Sequence, residues 1–477
     1  MERRYAFLML ESFGECLHRW MRQRGYTNAR LAQLTHQKSG TTVSRLLHDQ
    51  CTVQRCAAFL EELMAAVPDM PPEEVAQFRQ SLEVNRFGKD HFRAHQVFME
   101  LMTSAHGLMP ASMTTAWDAL ADRITPWLVE GPCELLCFGC FDPQVLSTLG
   151  CLLRDPAGQL TVTHYFSQEL HADLIFLLEH TLLMLGDPRY QLISIHSDAR
   201  LQVSSIATQD ALILRNSTGA SRLILPVSGG EPLVQDFTPE NDLFAFYQQA
   251  LAADREHQHH YSSEFSHGSA MDYVAFLETC LSYEHNRSVY QIKPDIGLEY
   301  MPIPTVKANF EAWLSQHPEY APVANGLVEL CTRRHQNIYA KRHPHYLVLC
   351  KAAMTAFART GRISDHPFCL RPFTPEERVE ILNHLIRQAE ENACFRLLVL
   401  RDPAALPQHQ LIAYDNLGLL ICDTQTDYSL EGYSEIFLNS PLVAGQFKTF
   451  LLDVVGATLT ETPAETIRFL RGLTELV

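Results

Sequence analysis

The 477-residue sequence predicts a multidomain protein in which a small all-α N-terminal domain is followed by a larger α/β body. At about 150 residues per domain, this length corresponds to two to four compact units. Apolar residues recur at helical spacing through residues 1–66, whereas apolar runs typical of strands alternate with helices from Trp117 onwards. Prolines between residues 68 and 72 separate the first domain from a helical connector predicted over 67–112.

Charge is distributed unevenly along the chain. The whole sequence has 38 Lys and Arg against 55 Asp and Glu, a net charge of -17. The first sixty residues have a net charge of +5, whereas the remainder has -22. We therefore expect contact with a polyanion only at the N-terminal end, because an acidic body repels nucleic acid and excludes coating by the whole surface.

The N-terminus and the cysteine content predict a soluble, cytoplasmic protein. Glu11 and Glu15 interrupt the first apolar run, and no signal-peptide cleavage site follows it. The sequence contains no uncharged apolar run of the length that a membrane span needs, so no membrane contact is expected. The thirteen cysteines are expected to be reduced, mostly buried thiols.

Four short helices are predicted in the N-terminal domain. The first begins at Phe13 and ends at Gly25, a natural helix end. Thr27 caps the second helix. The second, third and fourth helices are predicted over 28–35, 41–48 and 53–63. The tight middle pair makes this a helix-turn-helix domain, with a helical protein-interaction domain as the alternative.

The runs TNARLA (27–32) and TTVSRL (41–46) resemble the DNA-binding domains of the Cro and phage-repressor type. The resemblance implies that the third helix enters the major groove of double-stranded DNA with its N-terminus first. Gly40 lies where that helix should begin, and the turn is about one residue longer than the family's. The residues implied to contact DNA are Thr27, Asn28, Lys38, Ser39, Thr41, Thr42, Ser44 and Arg45.

The body contains one order of strands and helices that occurs twice. Residues 113–255 contain strand-like runs, a helix between them and a closing helix rich in aromatic residues. Residues 371–477 repeat the order of helix, strand, two paired strands, strand and aromatic-rich closing helix. We therefore predict two related α/β lobes, 113–255 and 371–477, joined by a mainly helical segment over 256–370.

One histidine pattern lies in the second predicted lobe: His409-x-Leu411-x4-Asn416, followed by a strand and then by Glu435 on another strand. It resembles the phospholipase-D-like arrangement, whose motif has His, Lys and Asp at this spacing. The resemblance implies a histidine nucleophile, a second histidine as acid and lysines that hold phosphoryl oxygens. Leu411 replaces the lysine and Asn416 the acid, which predicts a non-catalytic scaffold reused as a ligand sensor. An unrelated α/β domain is the alternative.

Three further sets of residues are candidate sites with a structural alternative. Cys137 and Cys140 lie at a strand-to-helix junction, where a helix N-terminus lowers a thiol pKa and permits a redox switch, although core cysteines show the same pattern. A histidine cluster is more typical of a polar loop than of a metal site. A basic island either binds an anion or is a solvated face. The cluster is His257, His259, His260 and His267, and the island is His335, Lys341, Arg342, His343 and His345.

These observations predict a sequence-specific DNA-binding transcriptional regulator, repressor-like, with a C-terminal sensor, effector or dimerisation region. Its expected partners are double-stranded DNA, a second copy of the chain in a homodimer and a small-molecule effector. No catalytic residue, metal or cofactor is expected, and the chain is not expected to be an enzyme. The alternatives are a nucleic-acid-targeted phosphodiesterase-like hydrolase and a protein-interaction scaffold.

Overall fold

The computed structural model consists of two compact units, Met1–Val97 and Phe98–Val477. The multidomain organisation and the α/β body are as predicted. The residues that the structure describes are 10–37, 39–103, 117–140, 142–153, 159–167, 189–195, 210–227, 230–253, 258–266, 270–340, 342–363, 371–402, 409–423 and 434–477.

The first unit is built from helices only. They are α1 (Phe13–Arg24), α2 (Asn28–Leu34), α3 (Gly40–Leu47), α4 (Val53–Ala66), α5 (Pro72–Phe87) and the start of α6 (Lys89–Thr103). Ser12 caps α1 in a capping box with Glu15, and Gly25 ends that helix in the left-handed conformation. The helices α1 to α4 form close to their predicted positions; the identification of α2 and α3 as a helix-turn-helix stays a prediction.

The helix α5 belongs to the core of the first unit, although the sequence analysis assigned it to a connector. Phe78 is buried, and its ring centroid lies 5.7 Å from that of Phe13. The Trp20 indole N–H donates to Glu74 at 2.6 Å. The apolar side of α5 therefore covers α1, which the proline-based boundary at 68–72 does not reveal.

The body contains two seven-stranded mixed sheets. The first comprises β1 (Cys133–Phe138), β2 (Leu160–Ser167), β3 (Tyr190–Ile195), β4 (Ala211–Asn216), β5 (Ser221–Leu225), β6 (Leu233–Phe237) and β7 (Gln258–His260). The second comprises β8 (Ser262–Ser266), β9 (Val289–Lys293), β10 (His345–Leu349), β11 (Phe395–Val399), β12 (His409–Tyr414), β13 (Gly418–Asp423) and β14 (Ser434–Leu438).

The two sheets have the same connectivity over six strands. In the first, the order β6-β5-β4-β1-β2-β3 has β1, β2 and β3 parallel and β4 to β6 antiparallel. In the second, β14-β13-β12-β9-β10-β11 repeats both the order and the directions. We call residues 118–253 lobe 1 and residues 270–476 lobe 2. That the two lobes are related stays a prediction.

Helices pack on the faces of these sheets. In lobe 1 they are α7 (Asp118–Glu130), α8 (Pro143–Leu153) and α9 (Leu243–Ala252). In lobe 2 they are α10 (Ala270–Glu284), α11 (Ile303–Leu314), α12 (Ala321–Tyr339), α13 (Lys351–Thr360), α14 (Pro375–Glu391), α15 (Pro441–Thr449) and α16 (Pro463–Leu476). Short 3-10 turns lie at Pro239–Asn241, Leu298–Tyr300 and Pro318–Tyr320.

The predicted helical segment 256–370 instead contains two central strands of the second sheet. β9 and β10 pair with each other and join β12 on one side to β11 on the other. Each is only five residues long, and polar residues such as Gln291 and Lys293 interrupt the apolar pattern of β9. The predicted second lobe, 371–477, therefore matches only the later part of lobe 2.

One run of chain joins the two sheets. β7 pairs with β3 of the first sheet, and β8 pairs with β14 of the second. Tyr261, between β7 and β8, is buried; its N–H donates to the Leu192 carbonyl at 3.0 Å and its carbonyl accepts from Asn439 N–H at 2.8 Å. These contacts complete the hydrogen bonding of an edge strand in each sheet.

Within the described residues, one helical run, Pro441–Leu459, is long and apolar enough to cross a membrane. It comprises α15 and a π-helical continuation, Phe450–Leu459. Its Phe447, Phe450 and Leu451 side chains are buried. This packing is also typical of the core helix of a soluble protein, so the run is weak evidence for a membrane span. A cytoplasmic location stays a prediction.

Gly418, the first residue of β13, provides a test of the second sheet. A Cβ there would clash with the Leu438 carbonyl and lie 2.5 Å from Phe437 Cζ. We expect Gly418→Ala to lower the free energy of unfolding by about 2 kcal/mol, because the backbone of β14 must move. Gly445→Ala is the control, since a Cβ there meets no atom within 4 Å and alanine favours the helix. Urea denaturation measures both; equal stability of the two variants would contradict the pairing.

Candidate functional site

The candidate site is the edge of each sheet at which the three parallel strands end. β4 and β12 run antiparallel to β1 and β9, so their first residues lie at the same edge. In lobe 2, Leu411 pairs with Ile292, which places His409 opposite the residues that follow β9. Ligands bind at the carboxyl ends of parallel strands in open α/β sheets. The side chains at this edge of each sheet are therefore the candidates for ligand binding in the two lobes.

In lobe 2, each parallel strand ends at or near a basic residue. Lys293 is the last residue of β9, Lys351 follows β10, and Arg401 follows β11. Lys351 forms an ion pair with Glu461, and Arg401 Nε lies 3.6 Å from the other oxygen of the same carboxylate. The shared Glu461 therefore holds two of the three cations next to each other. At the described ends of β1, β2 and β3, lobe 1 has no Lys or Arg.

His409, found by its resemblance to the phospholipase-D-like motif, begins β12 at this cationic edge. Its side chain is 1% exposed, and it pairs in register with Asp423 of β13. Leu411 is fully buried in the sheet, so an apolar contact replaces the family's lysine. Asn416 has a φ of 58° in the β12–β13 turn, a conformation that asparagine tolerates. The lobe 1 counterparts of His409 and Leu411 are Ala211 and Ile213, which are buried apolar residues.

A buried ion network lies beside this edge. Lys293 Nζ donates to Glu299 at 3.0 Å, with side chains 1% and 6% exposed. Arg334 lies 2.6 Å from Glu284 and 3.6 Å from Glu299. Burial acts to raise the pKa of Glu299, but Lys293 and Arg334 outweigh it and lower that pKa to about 2. The network therefore pairs the buried lysine at the end of β9 with a carboxylate.

A neutral hydrogen-bond cluster lies at the other end of β9 and β10. His345 Nε2 lies 2.7 Å from the Tyr300 hydroxyl and 2.8 Å from Gln291 Nε2. Burial lowers the pKa of His345 to about 3, so its ring is uncharged at neutral pH. The predicted basic island is therefore divided, because Arg342 and His343 are exposed while His345 is buried. Lys341 lies outside the described residues.

In lobe 1 the corresponding edge carries thiols. Cys137 lies on β1 and Cys140 follows that strand; both are buried. His164 pairs in register with Cys137. Cys140 N–H donates to Asp210 at 2.7 Å, and Asp210 immediately precedes β4. The structure thus brings together the cysteines that the sequence singled out, with a histidine and an aspartate that it did not.

Most of the residues predicted to contact DNA lie at the starts of α2 and α3, whereas Ser44 and Arg45 lie further along α3, Arg45 in its last turn. Thr27 and Ser39 are the N-cap residues, and the Thr27 hydroxyl accepts from Arg30 N–H at 3.2 Å. A Cβ on Gly40 would lie 3.6 Å from the Cβ of Asn28, so the two helix starts are adjacent. The remaining members, exposed or half-buried, are Thr41, Thr42, Ser44 and Arg45. Lys38 lies outside the described residues. Contact of the other seven with DNA stays a prediction.

The histidine cluster was predicted to be a polar loop and not a metal site. His257 and His267 lie outside the described residues, and His260 is an exposed residue of β7. In the part of the chain that the structure describes, no group of three or more His, Cys, Asp or Glu side chains is arranged to hold a metal ion.

No family model and no curated protein match the sequence. Among solved structures, phosphatidylserine synthase of Haemophilus influenzae is similar at 9% identity and a TM-score of 0.26, over 75% of this chain and 89% of that one. Yeast tyrosyl-DNA phosphodiesterase is similar at 11% identity and a TM-score of 0.18, over 65% and 84%. A mutant of the yeast enzyme gives 10% identity and 0.17, over 68% and 86%.

These comparisons contradict the predicted function. The similar structures are those of a phosphatidylserine synthase and a tyrosyl-DNA phosphodiesterase, not of sequence-specific DNA-binding transcriptional regulators. The prediction of a regulator is therefore wrong, and so is the prediction that the chain is not an enzyme. TM-scores below 0.5 support no transfer of individual residue positions, so the chemistry has to be argued from this chain's own side chains.

The sequence analysis missed the cations at the lobe 2 edge and the ion network. Lys293 and Glu299 are six positions apart, but Arg334 and Glu284 meet only through the packing of α10 against α12. The one visible signal was a lysine at the end of the apolar run VYQIK. A buried lysine is rare without a partner, so this run alone pointed to a distant carboxylate.

Loss of the Glu299 charge should destabilise lobe 2. We expect Glu299→Gln to lower the free energy of unfolding by about 3–5 kcal/mol at pH 7, because Lys293 and Arg334 then remain charged beside an amide. The folded pKa of about 2 lies below the ordinary value of 4.5, so the Glu299 contribution is full above pH 4.5. It is lost as the pH falls towards 2, and the difference from wild type should shrink over that range.

The matched control for this substitution is Glu311→Gln. Glu311 lies 3.8 Å from Lys307 in an exposed pair on α11, so its loss should change stability by less than about 0.5 kcal/mol. Denaturant unfolding at pH 7 and at lower pH measures both variants. Equal effects of the two substitutions would contradict the role of the network.

Proposed function

We propose that the body is a phospholipase-D-like hydrolase that cleaves phosphodiesters, with His409 as the nucleophile. One observation supports this most strongly: His409 begins β12 at the edge where each of the three parallel strands ends at or near a basic residue. A phosphodiester is an anion, and cations at the reaction centre stabilise the negative charge on its non-bridging oxygens. The resemblance of residues 409–435 to the phospholipase-D-like arrangement supports the same role for the histidine.

The reaction would proceed in two steps. A His409 ring nitrogen attacks phosphorus, the bond from phosphorus to the leaving oxygen breaks, and the alkoxide takes a proton from water. Water then attacks phosphorus, the phosphorus–nitrogen bond breaks, and the products are a phosphomonoester and the free imidazole. Covalent catalysis of this kind divides one difficult displacement into two easier ones.

Because the sequence departs from the family motif, other groups would have to bind the phosphoryl oxygens and protonate the leaving group. Lys351 and Arg401, held together by Glu461, would bind the phosphoryl oxygens in place of the lysine that Leu411 replaces. Ala211 stands at the position of His409 in lobe 1, so lobe 1 offers no second histidine at that position. The catalytic centre would therefore belong to lobe 2, with solvent protonating the leaving group.

The N-terminal unit favours a polyanionic substrate. The net charge of the first sixty residues is +5, and clustered positive charge attracts the backbone of a nucleic acid. A nucleic acid is therefore the first substrate class to test. Attraction of this kind weakens as salt is added, because counterions compete for the phosphates.

Replacement of His409 tests the nucleophile. We expect the purified full chain to hydrolyse bis-p-nitrophenyl phosphate or single-stranded oligonucleotides, and His409→Ala to lower kcat by about 10³-fold or more because no other group forms the covalent intermediate. His285→Ala, at an exposed histidine after α10, should retain wild-type activity. Release of p-nitrophenol and gel separation of cleaved oligonucleotides measure the two reactions.

His409→Gln separates a chemical defect from a folding defect. Glutamine keeps a polar side chain at the start of β12, so the circular dichroism and melting temperature should stay close to those of wild type while hydrolysis is lost. Activity that survives in both His409 variants contradicts the assignment. Absence of hydrolysis by the wild-type chain with both substrates contradicts the proposed function itself.

A further inference from the structure

Glu461 lies between the π-helical run and α16, and backbone hydrogen bonds fix its position at the lobe 2 edge. Its N–H donates to the Val399 carbonyl of β11 at 2.9 Å. In the opposite direction, Arg401 N–H donates to the Leu459 carbonyl at 2.8 Å. The chain on both sides of these bonds runs antiparallel just beyond the end of β11. The Glu461 carboxylate is therefore held at the edge where the parallel strands end.

Two cations share this carboxylate. Lys351 forms an ion pair with one of its oxygens, and Arg401 Nε lies 3.6 Å from the other. Lys351 is the first residue of α13, where the positive end of the helix dipole disfavours a further positive charge. Glu461 offsets that repulsion. We call Lys351, Arg401 and Glu461 the Glu461 cluster; its two cations and one carboxylate together carry one unit of positive charge.

The Glu461 cluster is open to solvent. The exposed fraction of the side chain is 54% for Arg401, 21% for Lys351 and 17% for Glu461. By contrast, the side chains of Lys293 and Glu299 are 1% and 6% exposed, so the ion pair at the end of β9 is closed to a ligand. An anion that approaches from solvent therefore meets the Glu461 cluster and not the Lys293 pair.

We infer that Glu461 is a specificity-determining residue, which makes this edge bind a singly charged phosphodiester in preference to a doubly charged phosphomonoester. This role rests on the proposed function, which assigns Lys351 and Arg401 to the phosphoryl oxygens. A phosphodiester carries one negative charge, and the single positive charge of the Glu461 cluster balances it. A phosphomonoester carries about 1.5 to 2 negative charges at pH 7. The Glu461 carboxylate repels that additional charge.

The same preference favours release of the product. Hydrolysis of a phosphodiester yields a phosphomonoester, so the second negative charge appears only after the reaction. Glu461 weakens the binding of this product more than the binding of the substrate. Without the Glu461 charge, Lys351 and Arg401 retain the product, which then inhibits the next turnover.

The test compares two ligands that differ by one methyl group, methyl phosphate and dimethyl phosphate, on the full chain. Phosphorus NMR titration at pH 8 gives the two dissociation constants, and methoxide is too poor a leaving group for turnover to disturb the measurement. Wild type should bind dimethyl phosphate more tightly. Glu461→Gln should reverse this preference and shift the ratio of the two dissociation constants at least about tenfold, because one negative charge is removed beside the ligand.

Three further variants separate the charge of Glu461 from its part in the structure. Glu461→Asp keeps the negative charge, so it should retain the wild-type preference. Arg401→Gln should weaken the binding of both ligands. Glu390→Gln is the matched control and should bind both ligands as wild type does, because Glu390 forms an exposed ion pair with Arg471 near the start of β11, at the opposite edge of the sheet. A purely structural role of Glu461 predicts that no variant gains affinity for methyl phosphate.

An unchanged ratio in Glu461→Gln would overturn the inference, and so would a wild-type chain that binds neither ligand. Tighter binding of methyl phosphate by wild type overturns it without any substitution, even if a Glu461 variant folds poorly. The hydrolysis assays are separate from these titrations. Hydrolysis that depends on His409, together with an unchanged ratio, leaves the proposed function standing and removes the role of Glu461. A shifted ratio in a chain that hydrolyses nothing supports charge selection at this edge and contradicts the proposed function.

Discussion

The ion network of Lys293, Glu299, Arg334 and Glu284 is the constraint on which lobe 2 depends. All four side chains are at least nine-tenths buried, and two carboxylates balance two cations, so removal of any one leaves a charge without its partner in the core. Lys293 ends β9, the central strand that pairs with both β10 and β12. The network therefore fixes the strand beside which His409 begins, and the position of the proposed nucleophile depends on it.

The same six-strand connectivity carries different chemistry in the two lobes. Lobe 2 has cations, a histidine and buried ion pairs at the carboxyl edge of its parallel strands. Lobe 1 has a cysteine pair beside His164 at the corresponding edge, with buried apolar residues at the counterparts of His409 and Leu411. The sheet positions the edge, and the side chains at the strand ends determine what each edge binds. A fold of this kind therefore does not define a function until the residues at its edge are known.

Local patterns in the sequence predicted the helices of the first unit, the strands β1 to β5 of lobe 1 and the later strands of lobe 2. The apolar spacing from Phe13 and the capping Thr27 are local signals, and they act before any tertiary contact forms. β9 and β10 were missed because Gln291, Lys293 and His345 interrupt short apolar runs. Such polar side chains can be buried in a core only when they pair with groups from elsewhere in the chain. A local sequence pattern does not reveal those partners.

The site could be predicted only in part. His409 was found because its motif is contiguous, and Cys137 and Cys140 because they are three positions apart. Lys351 and Arg401 were not found, since they come from separate segments that meet only when parallel strands align at one edge. The basic charge of the first sixty residues was visible in the sequence. It led to the prediction of a regulator because the cations at the edge of the second sheet could not be recognised from the sequence.

Trapping the covalent intermediate tests the central claim most directly. The protein is mixed with an oligonucleotide substrate and quenched at alkaline pH within the first turnovers, and its peptides are then sequenced by mass spectrometry. The account predicts a phosphoryl or nucleotidyl adduct on a ring nitrogen of His409. Rapid turnover with no adduct on His409, or with an adduct on another residue, would contradict it.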